Sequence, residues 1–126
     1  MMKLKIFISY WLPTFIYASL IFYLSSMPSL LHPDAAPDFT MQDKAYHLIE
    51  YFFLSFLILR LMIYYKVKNK YMYAIALATL YGVMDELHQL FVLGRYFSGW
   101  DMLANLIGAS LILTIRKLRS YDSYKP

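Results

Sequence analysis

The chain has 126 residues, of which 60% are hydrophobic, 19% aromatic and only 16% charged. This composition is too apolar for an ordinary soluble domain, and the length leaves no room for a separate soluble one. The chain contains no cysteine, which excludes disulfides, a thiol nucleophile and a cysteine-ligated zinc site. The net charge is +4, but the basic residues flank apolar runs, which favours anionic lipid headgroups over nucleic acid as partners.

The first long apolar segment covers residues 6–26 and follows two lysines. A signal peptide has the same order, but its apolar core is usually about 7–15 residues long, so we interpret this segment as a retained helix. Pro13 lies within it and removes a hydrogen bond to the Ser9 carbonyl, which predicts a kink. The following residues, 28–40, are rich in proline and aspartate and predict an irregular, solvated loop.

Three more apolar segments are expected as helices at residues 41–65, 71–93 and 101–118, joined by the basic turn KVKNK and the short loop GRYFSGW. About 20 apolar residues are enough to span a bilayer core. The sequence therefore predicts an all-α fold, a polytopic bundle of four transmembrane helices that forms a single domain over residues 1–126.

The orientation of this bundle follows from its basic residues. Of the 12 lysines and arginines, all except Lys44 and Arg95 fall at one end of the predicted topology. The positive-inside rule places that end, with both termini and the KVKNK turn, in the cytoplasm. The expected location is a bacterial plasma membrane, and the first expected partner is the lipid bilayer.

Polar residues gather at the opposite, outer end of the helices. They are Asp43, Lys44, His47, Glu50, Tyr51, Asp85, Glu86, Gln89, Arg95, Asp101 and Asn105. A charged side chain at the bilayer centre costs from about 2.5 to over about 10 kcal/mol, so such groups point inward and pair. His47, Glu50 and Tyr51 share one helix face, since they are three and four positions apart. We expect a polar cup that is open to the outer leaflet.

Several of these polar residues also have purely structural explanations. Asp43 follows Thr40, and Asp101 follows Ser98, at the spacing of a capping box, so helix capping alone is an alternative for both aspartates. For the carboxylates within the spans, a structural ion pair with a basic residue is the alternative. His88 is expected to face another helix or the membrane interface.

Short motifs occur along the chain in a specific order. They are Ser25-Ser26, then Asp43-Lys44-x-x-His47-x-x-x-Tyr51, then Asp85-Glu86-x-x-Gln89, then Gly94-Arg95, then Asp101-x-x-x-Asn105-x-x-Gly108. Their order and spacing resemble those of the VanZ-like membrane proteins. The resemblance implies a cell-envelope role, because the name-giving member is associated with low-level resistance to teicoplanin. That antibiotic binds cell-wall precursor at the outer membrane face.

The leading functional hypothesis is an outer-leaflet site for a lipid-linked anionic envelope molecule, either a cell-wall precursor or a phospholipid headgroup. Lys44, Arg95 and a protonated His47 are expected to hold its phosphate or carboxylate. The other expected binding residues are Gln89, Asp43, Tyr51, Asp101 and Asn105.

Whether the site also modifies its ligand is left open by the sequence. Glu86 or Glu50 is the expected general base, His47 is its proton partner, and Asp85 is a further catalytic candidate. No cofactor is expected under this hypothesis. An intramembrane metal-dependent hydrolase is the alternative, with Mg²⁺ or Mn²⁺ on these same four residues. A non-enzymatic partner or packing protein is the third possibility, and the oligomeric state is open.

Overall fold

The computed structural model describes residues 1–28 and 41–122, and every regular element in these residues is helical. The elements are α1 (Met2–Ile6), a π-helical turn (Phe7–Trp11), α2 (Leu12–Ser25), α3 (Met41–Tyr64), α4 (Lys70–Gln89), α5 (Gly99–Ser110) and α6 (Ile112–Asp122). The predicted all-α class is confirmed for this part of the chain. The predicted loop at 28–40 lies, apart from Pro28, outside the described residues, as does the tail after 122.

The first span is one continuous helix made of α1, the π-helical turn and α2. Pro13 has no N–H, so the Ser9 carbonyl lacks its usual helical donor, and the Arg60 guanidinium donates to that carbonyl at 3.3 Å. The Thr14 hydroxyl donates to the Tyr10 carbonyl at 2.9 Å. The irregularity predicted at the proline therefore takes the form of a wider helical turn directly before it.

The other helices begin and end close to the predicted spans. The basic turn between α3 and α4 is tight because Lys66 and Asn69 adopt left-handed backbone conformations, with φ of 53° and 57°. The helix α4 ends at Gln89, earlier than predicted, and the next amides bond only three residues back. The fourth predicted span is divided at Leu111 into α5 and α6.

The central helix of the bundle is α3, which packs against α5, α4 and α2. A Cβ atom on Gly108 would overlap the Leu48 carbonyl, so this glycine lets α5 lie directly against the α3 backbone. The buried core includes Tyr51, Leu54, Leu59, Ala74, Ala78, Ala109 and Ile112. Small residues on α4 and α5 thus meet larger ones on α3, which is a common way for helices to approach closely.

The outer surface of the bundle is apolar, while many of its polar side chains are inside. The exposed side chains include Phe15, Ile16, Leu80, Leu106 and Leu118. The stretches Lys3–Ser25 and Asp43–Tyr64 are each long and apolar enough to cross a membrane. An apolar exterior of this extent is unusual for a soluble monomer and suits a lipid environment.

Candidate functional site

Three helix ends meet at one end of the bundle: the start of α3, the end of α4 and the start of α5. The buried polar residues there are His47, Asp85, Glu86, Gln89, Asp101 and Asn105, each at most 7% exposed. The structure thus brings residues from all three predicted segments into one layer. Buried polar groups destabilise a fold unless they pair, so their partners indicate how the layer is built.

An ion pair joins α3 to α5 at the top of this layer. The Lys44 ammonium donates to Asp43 at 3.0 Å and also to Asp101 on the facing helix. The side chains of Lys44 and Asp101 are only 14% and 7% exposed. Lys44 therefore neutralises two carboxylates of the protein itself. It is not among the residues that line the cavity between α2, α3 and α4.

The next contact below this ion pair is between His47 and Asn105. The His47 Nδ1 lies 3.0 Å from the Asn105 Oδ1, and its Nε2 lies 3.8 Å from Asp101. The Ser98 hydroxyl accepts from the Asp101 N–H at 3.3 Å, so the predicted cap at the start of α5 is present. Asp101 therefore stands in the first turn of a capped helix and also carries the ion pair, so capping is not its only interaction.

Gly82 in α4 leaves room for the side chains of Tyr51 and Asn105. A Cβ atom on Gly82 would lie 2.9 Å from both the Tyr51 ring and the Asn105 amide. Tyr51 is fully buried, and its hydroxyl donates to Asp85 at 3.4 Å. The α3 tyrosine thereby reaches a carboxylate on the neighbouring α4.

Glu86 lies behind this contact, facing the loop that precedes α5. It is fully buried, and one carboxylate oxygen accepts from the Ser98 N–H at 3.1 Å. Its other oxygen has no hydrogen-bond partner among the described residues. Of the two expected general bases, Glu86 is thus not a lining residue of the cavity between α2, α3 and α4, whereas Glu50 is.

The helix α2 contributes residues that were not predicted as part of the site. Gln89 donates to the Ser25 hydroxyl at 3.1 Å, and His88 Nε2 lies 2.9 Å from the Ser26 hydroxyl. The His88 ring also stacks on Phe22 at 4.4 Å, which agrees with its expected position against another helix. The sequence signal for these residues is the Ser-Ser pair at the end of the first span.

A cavity of about 320 Å³ opens between α2, α3 and α4. Its polar lining is Ser25, Asp43, Tyr46, His47, Glu50, Asp85, Gln89 and Arg95. Arg95 is oriented by the end of the first span, since it donates to the Met27 and Leu24 carbonyls at 3.2 and 3.5 Å. One Asp85 oxygen is buried with no hydrogen-bond partner among the described residues, so the polar layer contains an acceptor that a buried water or a ligand would satisfy.

Among the described residues, the side chains spaced closely enough to hold a cation are not the set predicted as metal ligands. Asp43, His47 and Asp101 each offer an atom within 4.8 Å of the others, a spacing that suits a cation. The expected set contained His47 but otherwise Glu50, Asp85 and Glu86. The structure therefore moves the candidate metal site to the ion-pair end of the layer, where Lys44 already contacts both aspartates.

The fold and this layer define a helical membrane protein with a polar site at one end of its bundle. The family model described as VanZ/LLP1 matches residues 7–119, nearly the whole chain. The chain belongs to this family, as the motifs indicated. Comparison with the curated proteins and with solved structures finds no match.

Proposed function

We propose that this protein crosses a bacterial plasma membrane four times, with both termini in the cytoplasm. The distribution of its basic residues supports this orientation. The cavity then faces the outer leaflet, at the depth of the lipid headgroups. Because α4 and α5 carry buried polar groups at this end, their outer turns are stable in a membrane only as part of the bundle.

The proposed function is to bind the headgroup of a lipid-linked anionic envelope molecule in this cavity. The observation that carries the proposal is an open space of about 320 Å³ lined by charges of both signs. If the polar layer served only to pack the helices together, the bundle would be more stable with this space filled by side chains. The opening between α2, α3 and α4 also lets an acyl or prenyl chain remain in the bilayer while its headgroup enters.

The lining restricts the chemistry of the headgroup. Arg95 is the guanidinium in the wall and suits a phosphate or carboxylate, to which arginine can donate two parallel hydrogen bonds. Asp43, Glu50 and Asp85 face the same space and suit hydroxyl or ammonium donors. A headgroup that carries an amine beside its anion fits this lining better than a bare phosphate. If the ligand is modified, Glu50 and His47 are the acid and base candidates that reach it.

Ligand-induced thermal stabilisation tests this function. The purified chain is heated in neutral detergent with phosphatidylglycerol, phosphatidylethanolamine or a polyprenyl-linked cell-wall precursor, and the shift in Tm is measured for each. A ligand at about 100 times its Kd stabilises the folded state by about 2.7 kcal/mol. Arg95→Gln should lose the shift, and Arg119→Gln, on an exposed side chain of α6, should keep it. Equal shifts in both variants, or none in the wild type, would remove the support for this function.

A metal-dependent hydrolase is the second candidate, favoured by the spacing of Asp43, His47 and Asp101. The Lys44 ammonium contacts both aspartates, so a divalent cation at this position must compete with it. If these three residues bind a metal ion, Lys44→Met should raise the affinity of the protein for Mn²⁺ or Zn²⁺, and His47→Gln should lower it. Elemental analysis and calorimetry that find no metal on the wild type or on Lys44→Met would exclude the candidate.

A further inference from the structure

A second cavity, of about 370 Å³, lies at the opposite end of the bundle. It is formed by residues 67–72, at the turn into α4, together with Arg116 of α6. Its volume is within the range of about 300–1,000 Å³ that is usual for small-ligand sites. None of the residues assigned to the polar layer lines it.

The lining of this basic cavity is rich in positive charge. Lys68, Lys70 and Arg116 contribute to its wall, and no carboxylate does so among the side chains that the structure describes. In the same described residues, no acidic group lies within salt-bridge distance of these three cations. The Arg116 guanidinium lies over the Tyr71 ring at 5.8 Å, which orients it by a cation–π contact. Three cations that line one space, with no counter-ion among the described residues, favour an anionic ligand.

The backbone at the start of α4 adds a smaller positive charge beside this cavity. The N-cap of α4 is Asn69, whose side chain makes no capping bond, and the first turn contains no acidic residue. The first amides of a helix carry partial positive charge and are left without helical acceptors. Lys70, Tyr71 and Met72 line the cavity and belong to this first turn, so the partial positive charge of the helix start lies beside the side-chain cations.

Aromatic side chains of the kind that favour a membrane interface lie near this end of the bundle. The Trp11 indole donates to the Tyr65 hydroxyl at 3.0 Å, and the rings of Tyr10 and Tyr64 lie 4.7 Å apart. Tryptophan and tyrosine concentrate where hydrocarbon meets water. An anion that reaches the basic cavity from this interface is therefore close to lipid phosphates.

We propose that the basic cavity is a binding site for a phosphate group, supplied by the headgroup of an anionic lipid on the face opposite to the polar layer. Arginine and lysine in one cavity can hold a phosphate by a forked pair of hydrogen bonds and by point charge. Basic pockets between membrane helices bind such headgroups by the same chemistry. The site is separate from the proposed function, because the two cavities share no residue.

The test uses the full chain in nanodiscs of phosphatidylcholine. One arm adds phosphatidic acid to the nanodiscs, and a second adds inorganic phosphate to the buffer, so that lipid-borne and free phosphate are compared. The variant Lys68→Gln/Lys70→Gln/Arg116→Gln removes the cavity cations. Lys3→Gln/Lys117→Gln/Arg119→Gln is the matched control, since it removes equal charge from exposed side chains. Binding is measured by titration and counted by native mass spectrometry.

The wild type should bind phosphatidic acid saturably, with one site per chain, and the cavity variant should bind at least about tenfold more weakly. The control should bind within about threefold of the wild type. Competition by inorganic phosphate would assign the site to phosphate in general, and its failure to compete would assign the site to the lipid. Equal weakening in both variants, or no saturable binding, would overturn the proposal. If the triple variant does not fold, Arg116→Gln against Arg119→Gln gives the same comparison.

Discussion

Lys44 and Asp101 lie 57 positions apart in the chain and form an ion pair that joins the first turn of α3 to the first turn of α5. The contact between His47 and Asn105 lies just below and joins the same two helices. Together they fix the spacing of α3 and α5 beside the cavity. Lys44 thus supports the wall of the site, while Arg95 presents its charge to the cavity.

Loss of the Lys44 ammonium should destabilise the bundle strongly. Lys44→Met leaves Asp101 buried without its ionic partner, and breaking a buried pair in this way typically costs about 3–5 kcal/mol. The free energy of unfolding in detergent measures the effect. Lys117→Met, at an exposed position of α6, is the control and should change stability by under about 0.5 kcal/mol. Similar stability of the two variants would show that the pair does not hold α3 to α5.

Two glycines of α5 should respond differently to the same substitution. Gly108→Ala places a methyl group against the Leu48 carbonyl and should cost about 1–3 kcal/mol through overpacking. Gly99→Ala adds the same methyl group where nothing lies within 4 Å, so it should be tolerated. Thermal unfolding of both variants measures the difference. An unchanged Tm for Gly108→Ala would contradict the close approach of α5 to α3.

The attachment of the first span to α4 depends on a buried hydrogen bond. Ser25→Ala removes the acceptor of the Gln89 amide and should cost about 1–3 kcal/mol, because that amide is left buried. Ser19→Ala, on an exposed position of the same helix, should have little effect. Limited proteolysis, with thermal unfolding, reports both the stability and the detachment of this helix. Equal behaviour of the two alanine variants would argue against this attachment.

The orientation can be measured because the chain has no cysteine. In intact cells, a membrane-impermeant maleimide should label Gly99→Cys, at the polar-layer end, and label Lys117→Cys only after permeabilisation. Both positions are exposed on helices. Labelling in the reverse order would place the cavity on the cytoplasmic face and contradict the proposed outer-leaflet ligand.

Much of the fold could be predicted from hydrophobic run lengths and charge. The prediction of α3 was correct to within one residue, because the segment rich in proline and aspartate ends directly before it and the basic turn follows it. Run length missed the division at Leu111 and the early end of α4. Both are local departures from helical hydrogen bonding, and neither changes the hydropathy of the segment.

The residues that α3, α4 and α5 contribute to the polar layer were also predicted, but Ser25 and Ser26 of the first span and the internal arrangement of the layer were not. Spacing along one helix shows which residues share a face, but the rotation of each helix against its neighbours decides the partners. Lys44 and Arg95 were both predicted to hold the anionic group of the ligand. In the structure Lys44 contacts two carboxylates of the protein, and Arg95 lines the cavity. Glu86 adjoins Asp85 in the chain, but it points to the Ser98 amide.

Native mass spectrometry of the detergent-extracted chain tests the central claim, that the cavity between α2, α3 and α4 holds a lipid headgroup. The wild type should retain a lipid whose mass identifies its headgroup. Glu50→Gln/Arg95→Gln should lose that species, because both side chains line the cavity. Lys117→Gln should retain it. If the wild type carries no lipid, or if all three proteins carry the same lipid at equal occupancy, the polar layer serves packing alone and the account is wrong.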